Sequence, residues 1–211
     1  VRELARGPAD LRPDALGLNF FAGSPRCLAL EDAETILAEM GGNIESVGVF
    51  VNASLEDIRG VQQRLDLSWL QLHGDEPPEL LADLRQACPG VRLLRAVRVD
   101  EAGLADLENY LQRCQNLSAV PDALLVDARV DGHFGGTGQQ PPWDVLVSGY
   151  RRSEWPRLVL AGGLSPDNVV EAISVVQPWG VDVASGVESA PAVKSLDAVT
   201  RFVENARSIT R

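Results

Sequence analysis

Short apolar segments alternate along this chain with longer stretches in which apolar residues recur every three or four positions. The short segments predict strands buried on both faces, and the longer stretches predict amphipathic helices. A predicted strand followed by a helical stretch repeats seven times. The predicted strands are residues 15–21, 46–51, 69–73, 92–99, 123–128, 157–162 and 180–185.

Two of the helix starts carry capping signals. Ser54 precedes an apolar pattern, and Asp57 lies three positions further on, as in a capping box. Ser165 is likewise predicted to cap a helix, with Pro166 in the first helical turn. Both serines therefore mark the point where a loop gives way to a helix.

The repetition of strand and helix predicts parallel strands joined by crossover helices. Two architectures satisfy it, a doubly wound open sheet and a (β/α)8 TIM barrel. The even repeat, the lack of a G-x-G-x-x-G sequence after the first strand and the glycine-rich segments after late strands favour the barrel. Such a barrel has eight strands, whereas seven are predicted here. The 211 residues are expected to form a single domain, 1–211.

The charge balance narrows the range of partners. Nineteen basic and thirty acidic residues give a formal net charge of −11. This excess argues against nucleic acid and anionic membrane as partners, because both bind basic surfaces. No apolar run approaches the roughly 20 residues of a membrane span. A bound phosphate must therefore be held locally, by backbone amides and an arginine.

The cysteines and histidines are few and scattered. Cys27, Cys88 and Cys114 form no C-x-x-C pair, and the chain has two histidines, His73 and His133. This pattern predicts neither a metal site nor a disulfide framework, and it favours a reducing, cytoplasmic environment.

Two late strands end in small residues that suit an anion site. Gly162 and Gly163 follow one apolar strand, and Ser185 and Gly186 follow the next. Glycine lets backbone N–H groups approach a ligand closely, and barrel enzymes place phosphate at the carboxyl ends of late strands. The two junctions are predicted to bind one phosphate together, the alternative being two ordinary turns.

Asp127 ends another apolar strand and is a candidate general acid. A carboxyl group at the mouth of a barrel is partly removed from water, which suits it to proton transfer. The alternative is a carboxylate that caps a nearby loop. The loop that follows is long and contains Gly135 and Gly136, and loops of that length are often lids or binding loops.

Two further side chains lie at predicted strand ends. Arg26 follows the first strand in a Ser-Pro turn and could pair with a ligand carboxylate, although its spacing also fits a surface arginine. His73 ends the third strand and is either an acid or base or, as we favour, a loop-supporting side chain.

Taken together, six segments resemble the phosphoribosylanthranilate isomerases of tryptophan biosynthesis. They are ALGLNFFAGSPR, VGVFVN, LQLHGDE, LLVDA…GGTG…W, LVLAGGLSPDNV and VDVASGVE, in the family's order and from about Asp14 to the C-terminus. The resemblance implies a TIM barrel that needs no cofactor. It implies an Amadori rearrangement of N-(5-phosphoribosyl)anthranilate to 1-(2-carboxyphenylamino)-1-deoxyribulose 5-phosphate.

The resemblance also implies roles for individual residues. Asp127 matches the general acid that protonates the furanose ring oxygen, and Arg26 matches the arginine that contacts the anthranilate carboxylate. Asp182 matches the aspartate of the family's VDVSSGVE motif. The phosphate loops match Gly162-Gly163 and Ser185-Gly186, and the loop after the acid matches Gly135-Gly136. The implied partner is a small phosphorylated substrate, and the chain is expected to be a monomer or homodimer.

The chain departs from the family pattern at its start. The family begins with a strand of the type KICG, whose cysteine is the general base, and this strand and most of the first helix have no counterpart before Pro13. Two explanations are open, a truncated isomerase, which we favour, and a variant that has lost the base. The competing functions are a non-catalytic phosphate-ligand barrel and a related isomerase of histidine synthesis. An isomerase of histidine synthesis would carry a second aspartate and two phosphate motifs. Of these two motifs, this chain has only the late one.

Overall fold

A computed structural model describes residues 12–40, 44–128 and 142–209 of the chain. Within these residues seven parallel strands form one sheet, and each strand pairs with the next along the chain. A doubly wound sheet would reverse its strand order part way, so this sequential order excludes that alternative. The strands are β1 (Ala15–Asn19), β2 (Glu45–Phe50), β3 (Trp69–Leu72), β4 (Arg92–Val99), β5 (Ala123–Ala128), β6 (Arg157–Leu160) and β7 (Gly180–Val181).

Within the same described residues, seven α-helices connect and follow the strands. They are α1 (Leu30–Glu39), α2 (Leu55–Leu65), α3 (Pro78–Ala87), α4 (Ala105–Asn116), α5 (Trp143–Gly149), α6 (Val169–Val176) and α7 (Leu196–Ser208). A short antiparallel hairpin, β8 (Glu188–Ala190) and β9 (Val193–Lys194), lies between β7 and α7. None of the helices in the described ranges is long and apolar enough to cross a membrane.

All seven predicted strands are present, most of them a residue or more shorter than predicted. The Ser54 cap is confirmed, because its hydroxyl accepts a hydrogen bond from the backbone of Asp57 at 3.1 Å. The predicted Ser165 cap is wrong, because α6 begins later and its N-cap is Asn168. Ser165 instead belongs to a turn in which its own N–H donates to the Asn168 side chain. Pro166, which the sequence placed in the first turn of a helix, lies in this turn instead.

Side chains alternate between two apolar layers along the central strands. In β5, Leu124 and Val126 pack outward against the helices, whereas Ala123 and Leu125 belong to a separate inner cluster. This alternation follows from the two-residue period of a strand. The inner cluster comprises Val47, Trp69, Leu94, Ala96, Ala123, Leu125, Val159 and Ala161.

The sheet curls strongly rather than lying flat. Trp69 begins β3 and Trp179 directly precedes β7, four strands further along, yet their ring centroids are 6.4 Å apart. Four strand spacings in a flat sheet would separate them by about 19 Å. The curvature brings the carboxyl ends of distant strands to one mouth, as in a (β/α)8 barrel. No pairing joins β1 to β7 within the described residues.

Candidate active site

A cleft lies at the carboxyl ends of the strands, where β3, β5, β6 and β7 lead into their loops. It opens to solvent. Most of the residues that the sequence singled out line it. The lining residues are His73, Asp127, Ala161, Gly162, Gly163, Leu164, Asp182, Val183, Ala184, Ser185 and Gly186.

The turn after β6 depends on its two glycines. Gly162 and Gly163 have φ angles of 83° and 61°, in the left-handed region that side chains disfavour. Asn168 holds the turn, because its side-chain amide donates to the Gly163 carbonyl at 2.9 Å. The N–H groups of both glycines make no hydrogen bond to another described residue. Two unused donors therefore stand at the wall of the cleft.

The turn after β7 packs directly on the turn after β6. A Cβ placed on Gly186 would lie 1.8 Å from the carbonyl oxygen of Leu164. Such a distance is far inside van der Waals contact, so glycine is required where the two backbones meet. The sequence predicted that Gly162-Gly163 and Ser185-Gly186 bind one phosphate together. The structure places the two turns in contact, and the shared phosphate stays a prediction.

Asp127 lies at the end of β5, buried, beside His73 from the end of β3. The His73 Nε2 atom is 3.9 Å from Asp127 Oδ2. The Gln71 amide lies 2.6 Å from the other ring nitrogen, Nδ1. With that amide placed to donate, the proton of a neutral imidazole sits on Nε2 and faces Asp127. His73 therefore belongs to the cleft, whereas the sequence favoured a loop-supporting role.

Asp182 follows β7 and also lines the cleft. The surrounding protein removes water from its carboxyl group and so raises its pKa, with Asp127 adding to the rise. The charges of His73 and Lys194 lower the pKa of Asp182. Part of the Asp182 residue is nevertheless exposed to solvent.

A buried ion pair supports the loop that carries His73. Arg95 Nη1 lies 2.8 Å from Glu76 Oε2, and both side chains are buried. Glu76 also accepts hydrogen bonds from the N–H groups of Asn52 and Gly74, and Arg95 donates to the Gly74 carbonyl. Sequence reasoning missed this network. Its one local signal was the presence of three arginines, Arg92, Arg95 and Arg98, within the otherwise apolar β4.

Arg26 lies outside the cleft lining, in the turn after β1. Its guanidinium forms a two-point ion pair with Glu188 of β8, with both N–O distances 2.7 Å. The pair joins positions 162 residues apart in the chain, and nothing in the local sequence indicated it. It raises the pKa of Arg26, mainly through the hydrogen bond to Glu188.

No cysteine among the described residues lines the cleft. Cys88 and Cys114 are buried, and desolvation raises the pKa of each thiol. Cys27 is exposed beside Arg26. The described ranges contain no cluster of three or more His, Cys, Asp or Glu side chains that could hold a metal ion. Gly135 and Gly136 lie outside the described residues.

Comparison with known proteins gives the same family as the sequence motifs. The family model for N-(5'-phosphoribosyl)anthranilate (PRA) isomerase matches residues 4–205. The N-(5'-phosphoribosyl)anthranilate isomerase of Myxococcus xanthus is 44% identical over 200 residues, which cover 93% of this chain and 87% of the relative.

Solved structures agree with this match. Phosphoribosyl anthranilate isomerase from Thermotoga maritima is 34% identical, with a TM-score of 0.79 over 95% of this chain and 91% of that one. A second structure of such an isomerase, in complex with reduced 1-(o-carboxyphenylamino)-1-deoxyribulose 5-phosphate, is also 34% identical. Its TM-score is 0.76, over 95% of this chain and 90% of that one. The predicted barrel is thereby confirmed, and the chain belongs to the N-(5'-phosphoribosyl)anthranilate isomerase family.

Proposed function

We propose that this chain catalyses the Amadori rearrangement of N-(5-phosphoribosyl)anthranilate to 1-(2-carboxyphenylamino)-1-deoxyribulose 5-phosphate in tryptophan biosynthesis. The observation that carries the proposal is the contact between Gly186 and the Leu164 carbonyl, which joins two glycine turns beside Asp127. One phosphate between the turns would hold a sugar within reach of that carboxyl group. Family membership supplies the reaction to which this arrangement is suited.

The phosphate is assigned to the turns after β6 and β7. Gly162 and Gly163 present N–H groups that no described residue uses, and Ser185 adds a hydroxyl on the facing turn. Backbone amides bind anions without a formal charge of their own. Such a site works in a chain whose net charge is −11, where a general attraction for anions is absent.

Asp127 is assigned as the general acid. Protonation of the furanose ring oxygen breaks the bond between that oxygen and C1 and leaves an open-chain Schiff base. Loss of the proton from C2 then gives the enolamine, which becomes the ketone product. His73 and Asp182 face the same cleft as Asp127, and the His73 Nε2 atom lies 3.9 Å from the Asp127 carboxylate. The group that takes the C2 proton is assigned to none of the described residues.

Turnover and binding of the Asp127→Asn variant test this assignment. The amide keeps the shape of the carboxyl group but cannot supply the proton, so we expect turnover to fall at least about a hundredfold. Affinity for the reduced product analogue should change less than about threefold, because the phosphate turns are untouched. The measurements are fluorescence-monitored turnover of freshly made substrate and calorimetric titration of the analogue.

The outcomes separate the proposal from its alternatives. Loss of analogue binding together with turnover would make Asp127 a structural residue and would contradict the acid assignment. Binding of the analogue by the wild-type chain without any turnover would favour the non-catalytic barrel. A monomeric or homodimeric state, a single domain over 1–211 and a cytoplasmic location remain predictions.

A further inference from the structure

Glu188 is the centre of a cluster that the proposed reaction does not use directly. Its two carboxylate oxygens accept from four donors, and its side chain is 5% exposed. Oε1 lies 2.7 Å from Arg26 Nε and 3.2 Å from Lys194 Nζ. Oε2 lies 2.7 Å from Arg26 Nη2 and 3.3 Å from the Ala192 N–H. A carboxylate has about four lone-pair positions, so Glu188 is saturated and cannot itself bind a ligand.

The geometry of the pair leaves one edge of Arg26 unused. Glu188 occupies the edge formed by Nε and Nη2. The edge formed by Nη1 and the second hydrogen of Nη2 makes no hydrogen bond to a described residue, and the side chain is 27% exposed. That edge is a planar two-donor fork, which matches a second carboxylate. Glu188 thus fixes the plane in which Arg26 can meet a ligand.

The charge of the cluster also suits one carboxylate. Arg26 and Lys194 carry two positive charges and Glu188 one negative charge, which leaves one positive charge in a strongly acidic chain. An isolated arginine would also carry one positive charge, but no neighbouring carboxylate would fix the orientation of its guanidinium. A pre-oriented fork loses less side-chain entropy when a ligand binds.

Lys194 links this cluster to the phosphate turn. Its ammonium donates to the Ala184 carbonyl at 2.6 Å while it contacts Glu188. Ala184 lines the cleft immediately before Ser185 and Gly186. The cluster is therefore bonded to the turn after β7, so Arg26 is held at a defined position relative to the phosphate site.

We propose that Glu188 is a positioning residue that holds the Arg26 guanidinium with one edge turned to the anthranilate carboxylate of the substrate. This inference rests on the proposed function. Glu188 acts through Arg26 and touches no reacting atom. Lys194 contributes to this orientation because it contacts both the Glu188 carboxylate and the Ala184 carbonyl, which belongs to the turn that is proposed to bind phosphate.

The test compares two ligands that share a phosphate. One is reduced 1-(o-carboxyphenylamino)-1-deoxyribulose 5-phosphate, which carries the benzoate group, and the other is ribose 5-phosphate, which lacks it. In Glu188→Gln one oxygen becomes an NH2 group that repels Arg26 Nη2, so the two-point pair is lost. We expect this variant to bind the benzoate ligand about tenfold more weakly, as for loss of one charge-assisted contact, and ribose 5-phosphate within about threefold. Glu79→Gln, at an exposed Glu–Arg pair, is the matched control and should change neither.

A double-mutant cycle shows whether Glu188 acts through Arg26. In the Arg26→Ala background, Glu188→Gln should weaken benzoate binding less than about twofold further. An equal loss in both backgrounds would make Glu188 a merely structural residue and overturn the inference, as would unchanged or tighter binding by Glu188→Gln alone. Failure of the wild-type chain to bind the benzoate ligand would instead overturn the proposed function. An Arg26→Ala variant that keeps full benzoate affinity would remove the contact on which the inference rests.

Discussion

The contact between Gly186 and the Leu164 carbonyl allows a quantitative prediction for Gly186→Ala. The added Cβ would lie 1.8 Å from that oxygen, whereas ordinary contact begins at 3.4 Å. The two turns must therefore separate by up to 1.6 Å, the difference of those distances. The atom in the way belongs to the backbone, so no side-chain rotation can relieve the clash. The separation moves the donors of one turn away from a phosphate held by the other.

The size of the effect follows from what such a shift removes. A hydrogen bond to a charged group contributes about 1.5–3 kcal/mol, so losing one amide contact weakens phosphate-ligand binding by about 10- to 150-fold. Overpacking at a tight contact costs about 1–3 kcal/mol of folding free energy. Both losses are expected from Gly186→Ala, measured by calorimetric titration with ribose 5-phosphate and by urea denaturation.

A neighbouring glycine supplies the control. Gly180 lies in β7, and a Cβ there would meet its nearest atom, Val159 Cγ2, at 3.8 Å. Gly180→Ala should therefore bind ribose 5-phosphate as the wild type does. If Gly186→Ala were to bind it equally well, the two turns would not act together on the phosphate and the site would have to be reassigned.

Two further predictions concern ion pairs. The Arg26 hydrogen bond holds the pKa of Glu188 at about 2, below its usual 4.5, so the carboxylate stabilises the fold fully above about pH 5 and loses that effect as pH falls towards 2. The stability difference between the wild type and Glu188→Gln, on the order of 2 kcal/mol at neutral pH, should shrink over that interval in urea denaturation at stepped pH. Glu76→Ala should cost about 3–5 kcal/mol in the same assay, because it leaves Arg95 charged and buried, whereas Glu79→Ala, at an exposed pair with Arg113, should cost less than about 1 kcal/mol.

Each of these predictions has a contradicting result. A wild-type to Glu188→Gln difference that stays constant from pH 7 to about pH 3 would mean that ionisation of Glu188 does not stabilise the fold. Equal losses for Glu76→Ala and Glu79→Ala would mean that burial of the first pair is energetically unimportant.

Much of the fold and part of the site were predictable from local pattern. The strands, the Ser54 cap and the parallel direction of the strands follow from residue periodicity and from the even alternation of elements. Asp127 could be placed at a strand end because it directly follows an uninterrupted apolar run. Gly162 and Gly163 could be placed in a turn because the chain must leave a buried strand there.

Other features depended on which loops the sheet brings together. The N-cap of α6 is Asn168 instead of Ser165 because hydrogen bonds hold the intervening turn. The approach of His73 to Asp127 joins strand ends 54 positions apart, and the Arg26–Glu188 pair joins positions 162 apart. No local signal marked Glu188 as the partner, since many acidic side chains in this chain could have served.

The sequence by itself determined where strands and turns begin and which chemical groups stand at strand ends, because those depend on neighbours a few residues away. The tertiary structure alone decided that Gly186 packs on the Leu164 carbonyl and that Glu188 orients Arg26. Those contacts depend on strand order and on the curvature of the whole sheet, which accumulates over seven strands and is encoded in no single segment.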